Sequence, residues 1–223
     1  MMATKAETAM LETRSLRMAY GRRVLWTGLD MSVKSGRMVA LTGPSGSGKS
    51  TLLGCLGLLE RPTAGEILLD GRELSGLSAT GARRLRRDSL GYLFQNYALV
   101  ENATIAQNLN VALKARGRRG AQGQQAMEEA LEKVGLAGRQ REQVSRLSGG
   151  EQQRVAVARL LVKQPRLVLA DEPTGALDRF NAELVAGLLR AMADDGACVV
   201  MATHNDSVRD QCDETVPVDA YTG

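Results

Sequence analysis

Three segments of this 223-residue chain hold residue types suited to phosphate chemistry. The first, Gly43-Pro44-Ser45-Gly46-Ser47-Gly48-Lys49-Ser50-Thr51, fits the pattern G-x-x-x-x-G-K-[ST]. Glycines let a backbone wrap closely around phosphate oxygens, so that several N–H groups converge on them. Lys49 brings a full charge to the β- and γ-phosphates, Ser50 a hard hydroxyl ligand for Mg²⁺, and Thr51 a donor to the α-phosphate. A helix starting near Lys49 adds the positive end of its dipole. The bland alternative is a Gly-rich turn that caps a helix. Against it stand an apolar run, Met38–Thr42, on one side and a Leu-rich stretch, residues 49–59, on the other.

The second segment is Arg166-Leu167-Val168-Leu169-Ala170-Asp171-Glu172-Pro173, an apolar strand ending in two carboxylates. Ligands of open α/β sheets sit beyond the carboxyl ends of strands. There Asp171 would meet Mg²⁺ through a water, and Glu172 would polarise a water attacking the γ-phosphate. Alone, such a pair reads as a solvated turn; beside a phosphate loop the balance reverses. The third segment, Leu147-Ser148-Gly149-Gly150-Glu151-Gln152-Gln153-Arg154, puts a good N-cap and two glycines ahead of a helix. By itself it is a capped helix start.

Together, in this order, the three segments resemble the ATP-binding subunits of ABC transporters, and the likeness spans nearly the whole chain. The resemblance implies ATP and Mg²⁺, with the loop residues Gly43, Ser45, Gly46, Ser47 and Gly48 around the phosphates. It places Tyr20 as an aromatic stacked on adenine, Gln95 in a Q-loop touching metal or water, Asp178 in a D-loop, and His204, the one histidine, as a switch residue on the γ-phosphate. The catalytic set it implies is Glu172, His204, Gln95 and Lys49, and the metal set Ser50, Gln95 and Asp171. It further implies a head-to-tail pair of identical chains with two ATP molecules between them. Lys49 of one copy and Ser148, Gly149 and Gly150 of the other would grip one γ-phosphate, with Asp178 linking the two sites.

Within the family, Ala170-Asp171-Glu172-Pro173-Thr174-Gly175 is similar to the macrolide-export and lipoprotein-release type. The tract Phe94-Gln95-Asn96-Tyr97-Ala98-Leu99-Val100-Glu101-Asn102 is similar to a bacteriocin or peptide-export branch. Ala176 departs from a frequent Asn, and Asn205 from a common Asp. The implied job is to power a separate membrane-spanning permease that exports a peptide, lipid-linked or drug-like substrate. Contact with the membrane would be indirect, from the cytoplasmic face, and no nucleic acid is involved. Two alternatives stay open: a membrane complex that transmits force without cargo, and a P-loop ATPase with no membrane partner.

The elements that must position these residues follow from periodicity. Leu16, Met18 and Tyr20 share one strand face before a turn at Gly21. Further strands are expected at residues 66–70, 166–170, 197–202 and 215–218, the last near an edge because of Pro217. Met127, Ala130, Leu131 and Val134 make one helical stripe; Val155, Ala158, Leu161 and Val162 make a second; Val185, Leu188, Leu189 and Met192 make a third. Residues 116–123 read as a loop. The expected fold is a single α/β P-loop domain over residues 1–223. A parallel-sheet core with a β-subdomain takes 1–95 and 163–223, and a helical subdomain takes 96–162. The antiparallel character of the N-terminal β-subdomain is implied by the resemblance.

Tyr97, Leu99 and Val100 read equally as a groove for a permease helix or as ordinary core. Arg83, Arg84, Arg86 and Arg87, and Arg116, Arg118 and Arg119, read as solvated faces or as attraction to anionic lipid. Composition adds exclusions. Hydrophobic residues at 43% and charged residues at 24% suit a globular core rather than disorder. A net charge of +4 with 3% aromatics gives no nucleic-acid footprint. No run reaches the roughly 18 apolar residues of a spanning helix, residues 1–10 lack the apolar stretch of a signal peptide, and the three scattered cysteines fit neither a metal pair nor a disulfide framework.

Overall fold

The computed structural model describes residues 9–222, so most of the leader reading at residues 1–10 lies outside the described residues. β1 (Leu11–Tyr20) and β2 (Arg23–Val33) form an antiparallel hairpin across the Gly21-Arg22 turn. β3 (Met38–Thr42) runs into the glycine loop and α1 (Lys49–Leu56) leaves it. β4 (Ala64–Leu69) and the short β5 (Arg72–Glu73) return to the hairpin and complete an antiparallel sheet ordered β2-β1-β4-β5. Gly65 (φ +88°) is needed where β4 crosses the irregular part of β1, since a Cβ there would lie 2.5 Å from the Ser15 carbonyl oxygen.

After α2 (Ala79–Asp88) and β6 (Leu90–Leu93) come three helices: α3 (Ile105–Ala115), α4 (Gly120–Lys133) and α5 (Gly149–Lys163). Strand and helix then alternate through β7 (Leu167–Asp171), α6 (Arg179–Asp194), β8 (Cys198–Ala202), the one-turn α7 (Asp206–Arg209) and β9 (Glu214–Pro217). The second sheet is ordered β6-β7-β8-β3-β9 and pairs in parallel throughout.

A parallel sheet must be covered on both faces, and the two-residue period of its strands shows how. Met38, Val168, Ala170, Val199 and Met201 enter a core shared with α3 to α6. Val39, Leu41, Leu167, Leu169, Val200 and Ala202 enter a second core shared with α1 and the antiparallel sheet. The sheet therefore holds its loop ends between two packed layers. That rigidity lets loops at its carboxyl edge carry chemistry.

Several boundaries move. The helix expected over 49–59 stops at Leu56, because Gly57 caps it and Leu58 turns left-handed (φ +56°). The strand expected at 66–70 is β4, and Asp70 (φ +51°) already belongs to the turn. Of the expected loop 116–123 only 116–119 is a connection; α4 begins at Gly120, and i,i+4 bonds from Gln124 to Glu128 and from Gln125 to Glu129 support its exposed side. Met127, Ala130, Leu131 and Val134 are buried as expected. The α5 stripe is too narrow a description: Ala156, Val157 and Leu160 are buried as well, since α3, α4, α6 and β6 all pack on this helix, while Leu161 is only half-buried. β9 lies at the sheet edge, where the missing N–H of Pro217 spares the ladder.

Candidate functional site

The carboxyl ends of β3, β7 and β8 converge on one open cleft of about 710 Å³. Tyr20, Ser45, Gly46, Gly48, Lys49, Ser50, Thr51, Gln95, Glu172 and His204 all line it. Gly43, Gly46 and Gly48 take φ of +134°, +81° and +93°, the left-handed values that favour glycine. Gly48 has a second constraint, because a Cβ there would come within 2.7 Å of the buried Trp26 Nε1. α1 starts with Gly48 as its N-cap and no side chain caps it. Its first N–H groups are left for an anion.

The Lys49 side chain is nearly buried, and its ammonium donates to the carbonyls of Gly43 (2.8 Å) and Pro44 (3.1 Å). The hydroxyl of Ser47 is buried with no hydrogen-bond partner among the described residues. A buried hydroxyl without a partner is costly unless a ligand completes it. These features together fit a polyphosphate.

Ser50 Oγ donates to Asp171 Oδ1 at 3.0 Å. β7 is not the immediate neighbour of β3, since β8 lies between them, yet Asp171 at its end still reaches the start of α1. A hydroxyl and a carboxylate oxygen side by side, with Gln95 in the same cleft, form a hard all-oxygen donor set suited to Mg²⁺ when phosphate supplies the remaining ligands.

Glu172 follows Asp171 in a left-handed conformation (φ +47°), which costs a non-glycine residue about 1–2 kcal/mol. Its N–H donates to the Ala202 carbonyl at 3.0 Å, so the adjacent strand fixes the turn. Its Oε1 lies 3.3 Å from His204 Nε2, and the His204 N–H donates weakly to Oε2 at 3.4 Å. The carboxylate is mostly buried and the imidazole about half exposed, so the pair forms one wall of the cleft.

Tyr20 also lines the cleft and is 51% exposed, its ring available for stacking. Its hydroxyl donates to Glu60, and this bond holds the phenol pKa above its ordinary value. Sequence reading missed Arg23 and Leu25, which line the cleft beside Tyr20. Arg23 pairs with Tyr20 across the hairpin, so a two-residue turn at Gly21-Arg22 was the available signal. Gln153 was also missed: it is buried, lines the cleft, and donates to the Pro173 carbonyl at 2.7 Å.

Ser148, Gly149, Gly150 and Asp178 do not line this cleft. Ser148 caps α5 in a capping box: its Oγ accepts from the Glu151 N–H (3.3 Å) and its N–H donates to Glu151 Oε2 (2.8 Å). Arg139 also binds Glu151; that bond, then the Ser148 N–H, hold the carboxylate down at about 2. Asp178 caps α6, accepting from the Asn181 N–H at 2.9 Å.

Tyr97 lines the cleft, and with Leu99 it packs against the helical core, while Val100 is exposed. None of the three lines the apolar groove of about 410 Å³ on another face, which Leu59, Tyr92, Phe94, Ala98 and Val111 line instead. The arginine clusters are partly engaged: Arg86 donates to the Leu58 carbonyl, Arg87 to Asp88, and Arg118 to Gln164. Among the described residues no helix is long and apolar enough to cross a membrane.

The ABC transporter family model matches residues 26–175. Similar proteins include the lipoprotein-releasing system ATP-binding protein LolD 1 of Rhodopseudomonas palustris, 42% identical over 86% of this chain and 85% of that one. The macrolide export ATP-binding/permease protein MacB 1/2 of Paracoccus denitrificans is 41% identical over 88% of this chain and 29% of that protein. Among solved structures, the ATP-binding cassette MJ0796, dimeric in a post-hydrolysis state with ADP and phosphate, superposes with a TM-score of 0.85 at 31% identity. It covers 94% of this chain and 95% of that one.

Proposed function

The chain belongs to the ABC transporter family as an ATP-binding, ATP-hydrolysing subunit, and from that premise we propose that two copies close on two ATP molecules to drive a separate membrane permease. One observation carries the reading. Lys49, Ser50, Glu172 and His204 line one cleft and Asp171 is bonded to Ser50 there, whereas the capped start of α5 and Asp178 do not line it.

In this reading the loop N–H groups and Lys49 hold the β- and γ-phosphates, and Tyr20 stacks on the base. Ser50 and Asp171, with Gln95, hold Mg²⁺, which neutralises phosphate charge when bound. Glu172 accepts a proton from the attacking water, and His204 orients the water and γ-phosphate. Ser148, Gly149 and Gly150 of the second copy complete the γ-phosphate shell. The Ser148 hydroxyl accepts the Glu151 N–H in its own capping box, and in the closed pair it turns to the γ-phosphate. ATP favours the closed pair through contacts only that state makes, and hydrolysis removes them. Residues 96–162 act as the helical unit that carries Ser148 between these states.

The apolar groove lined by Phe94, Ala98 and Val111 supports docking of a short permease helix beside the Gln95 loop. The chain would thus sit on the cytoplasmic face of the membrane, held there through the permease. The likeness to LolD and MacB proteins supports export of a lipid-linked or drug-like substrate. Glu172→Gln tests the hydrolytic assignment: ATP binding is retained and turnover falls steeply, whereas near-normal turnover removes Glu172 from the role. Vesicles holding the co-purified membrane subunit test the cargo. ATP-dependent movement of a lipidated peptide or a macrolide supports export, and movement of neither contradicts it.

A further inference from the structure

Resting on the two-copy reading above, we propose that Asn181 is a positioning residue, fastening the Ser148–Gly150 end of α5 to the Asp178 turn so that both meet the second copy's nucleotide as one rigid half-site. Asn181 lies in the first turn of α6. Its N–H donates to Asp178 Oδ1 at 2.9 Å, and its Nδ2 donates to Oδ2 at 2.6 Å. Its Oδ1 accepts from Arg154 on α5, and a Cβ built on Gly150 would lie 3.2 Å from its Nδ2. One side chain thus lies against Gly150 of α5 and bonds the arginine one turn further along that helix and the carboxylate that caps α6.

Helix capping does not account for this arrangement. The cap needs only the Asn181 backbone N–H, which any residue but proline would supply. The side-chain amide is spent instead on joining two elements. Arg154 depends on that joint, because its Nε is buried with no hydrogen-bond partner among the described residues. The two clamped donors also keep Asp178 below the usual carboxylate range. Segments fixed to each other before association lose less freedom when they close on a ligand. Asn181 therefore acts on closure and leaves the chain's own cleft alone.

The test uses Glu172→Gln as parent, with ATP-driven dimerisation followed by analytical ultracentrifugation and single-chain nucleotide affinity by a fluorescent ATP analogue. Adding Asn181→Ala raises the protein concentration needed for half-dimerisation on the order of tenfold, with single-chain affinity unchanged and only a modest drop in thermal midpoint from the lost Arg154 partner. Asn181→Asp keeps a partner for Arg154 but faces Asp178 with like charge, and weakens dimerisation similarly. Unchanged dimerisation in both variants overturns the proposal. So does a loss matched in both by equal loss of single-chain affinity and thermal midpoint, which is the mark of misfolding. If the Glu172→Gln parent itself stays monomeric with ATP bound, the two-copy reading fails and takes the proposal with it.

Discussion

Two helix starts in this molecule are treated in opposite ways. α1 opens on Gly48 with no side-chain cap, beside a buried hydroxyl that lacks a partner and a lysine resting on loop carbonyls. α5 opens on Ser148 in a closed capping box braced by Arg139. The first start is unfinished without a ligand. The second is finished as a local structure, yet its glycine pair does not line the cleft that α1 faces. Uncapped helix ends are stabilised by what binds them, so α1 should respond to nucleotide in a lone chain and α5 only when a second copy arrives.

The largest expected effect lies at the carboxyl end of β7. Glu172→Gln should lower steady-state phosphate release by about 10²–10⁴-fold, the usual worth of a positioned base, with ATP affinity retained. Loss of affinity in parallel would move Glu172 from chemistry to binding. Lys49→Ala should weaken ATP binding on the order of 100-fold, as loss of a charged hydrogen bond implies. Unchanged affinity by equilibrium dialysis would erase the contrast between the two helix starts.

Tyr20→Ala should raise KM for ATP by a factor consistent with about 1–3 kcal/mol of stacking and leave kcat nearly intact. An equal fall in kcat would place Tyr20 in the chemical step. The smallest effect belongs to the finished start. The Glu151 carboxylate is held at about 2, below its ordinary 4.5. Its contribution to stability is therefore fully present above pH 4.5 and is lost as pH falls through about 2. Glu151→Gln should lower stability at pH 7 by less than about 1 kcal/mol, read as a small drop in thermal midpoint, because the ion pair is partly solvated. The gap should close as melts are taken from pH 4.5 toward 2; a gap that persists at pH 2 would point to a packing role.

The unfinished start was the more legible in the sequence. Residues 38–41 and 167–170 are uninterrupted apolar runs, and such runs become central parallel strands whose carboxyl ends face a ligand. Lys49, Ser50 and Asp171 lie at or just beyond those ends, and His204 just beyond β8. Leu25 was not legible and Arg23 only through the Gly21-Arg22 turn, because both reach the cleft through a hairpin folded over the sheet. The apolar groove was not legible for a related reason: it is built from Leu59, Phe94 and Val111, which no local period joins. Residues 116–123 misled through their glycines. Gly120 and Gly123 lie inside α4, where the glutamines and the Met127 stripe outweigh their low propensity.

The most direct test of the central claim is ultracentrifugation of Glu172→Gln with saturating ATP, alone and with Gly150→Asp added. Gly150 lies outside the chain's own cleft, so both proteins should bind ATP equally well. Glu172→Gln should sediment as a dimer and the double variant as an ATP-loaded monomer. ATP-saturated monomers of Glu172→Gln, or dimers indifferent to Gly150→Asp, would show that one chain completes its own nucleotide site and would contradict the account.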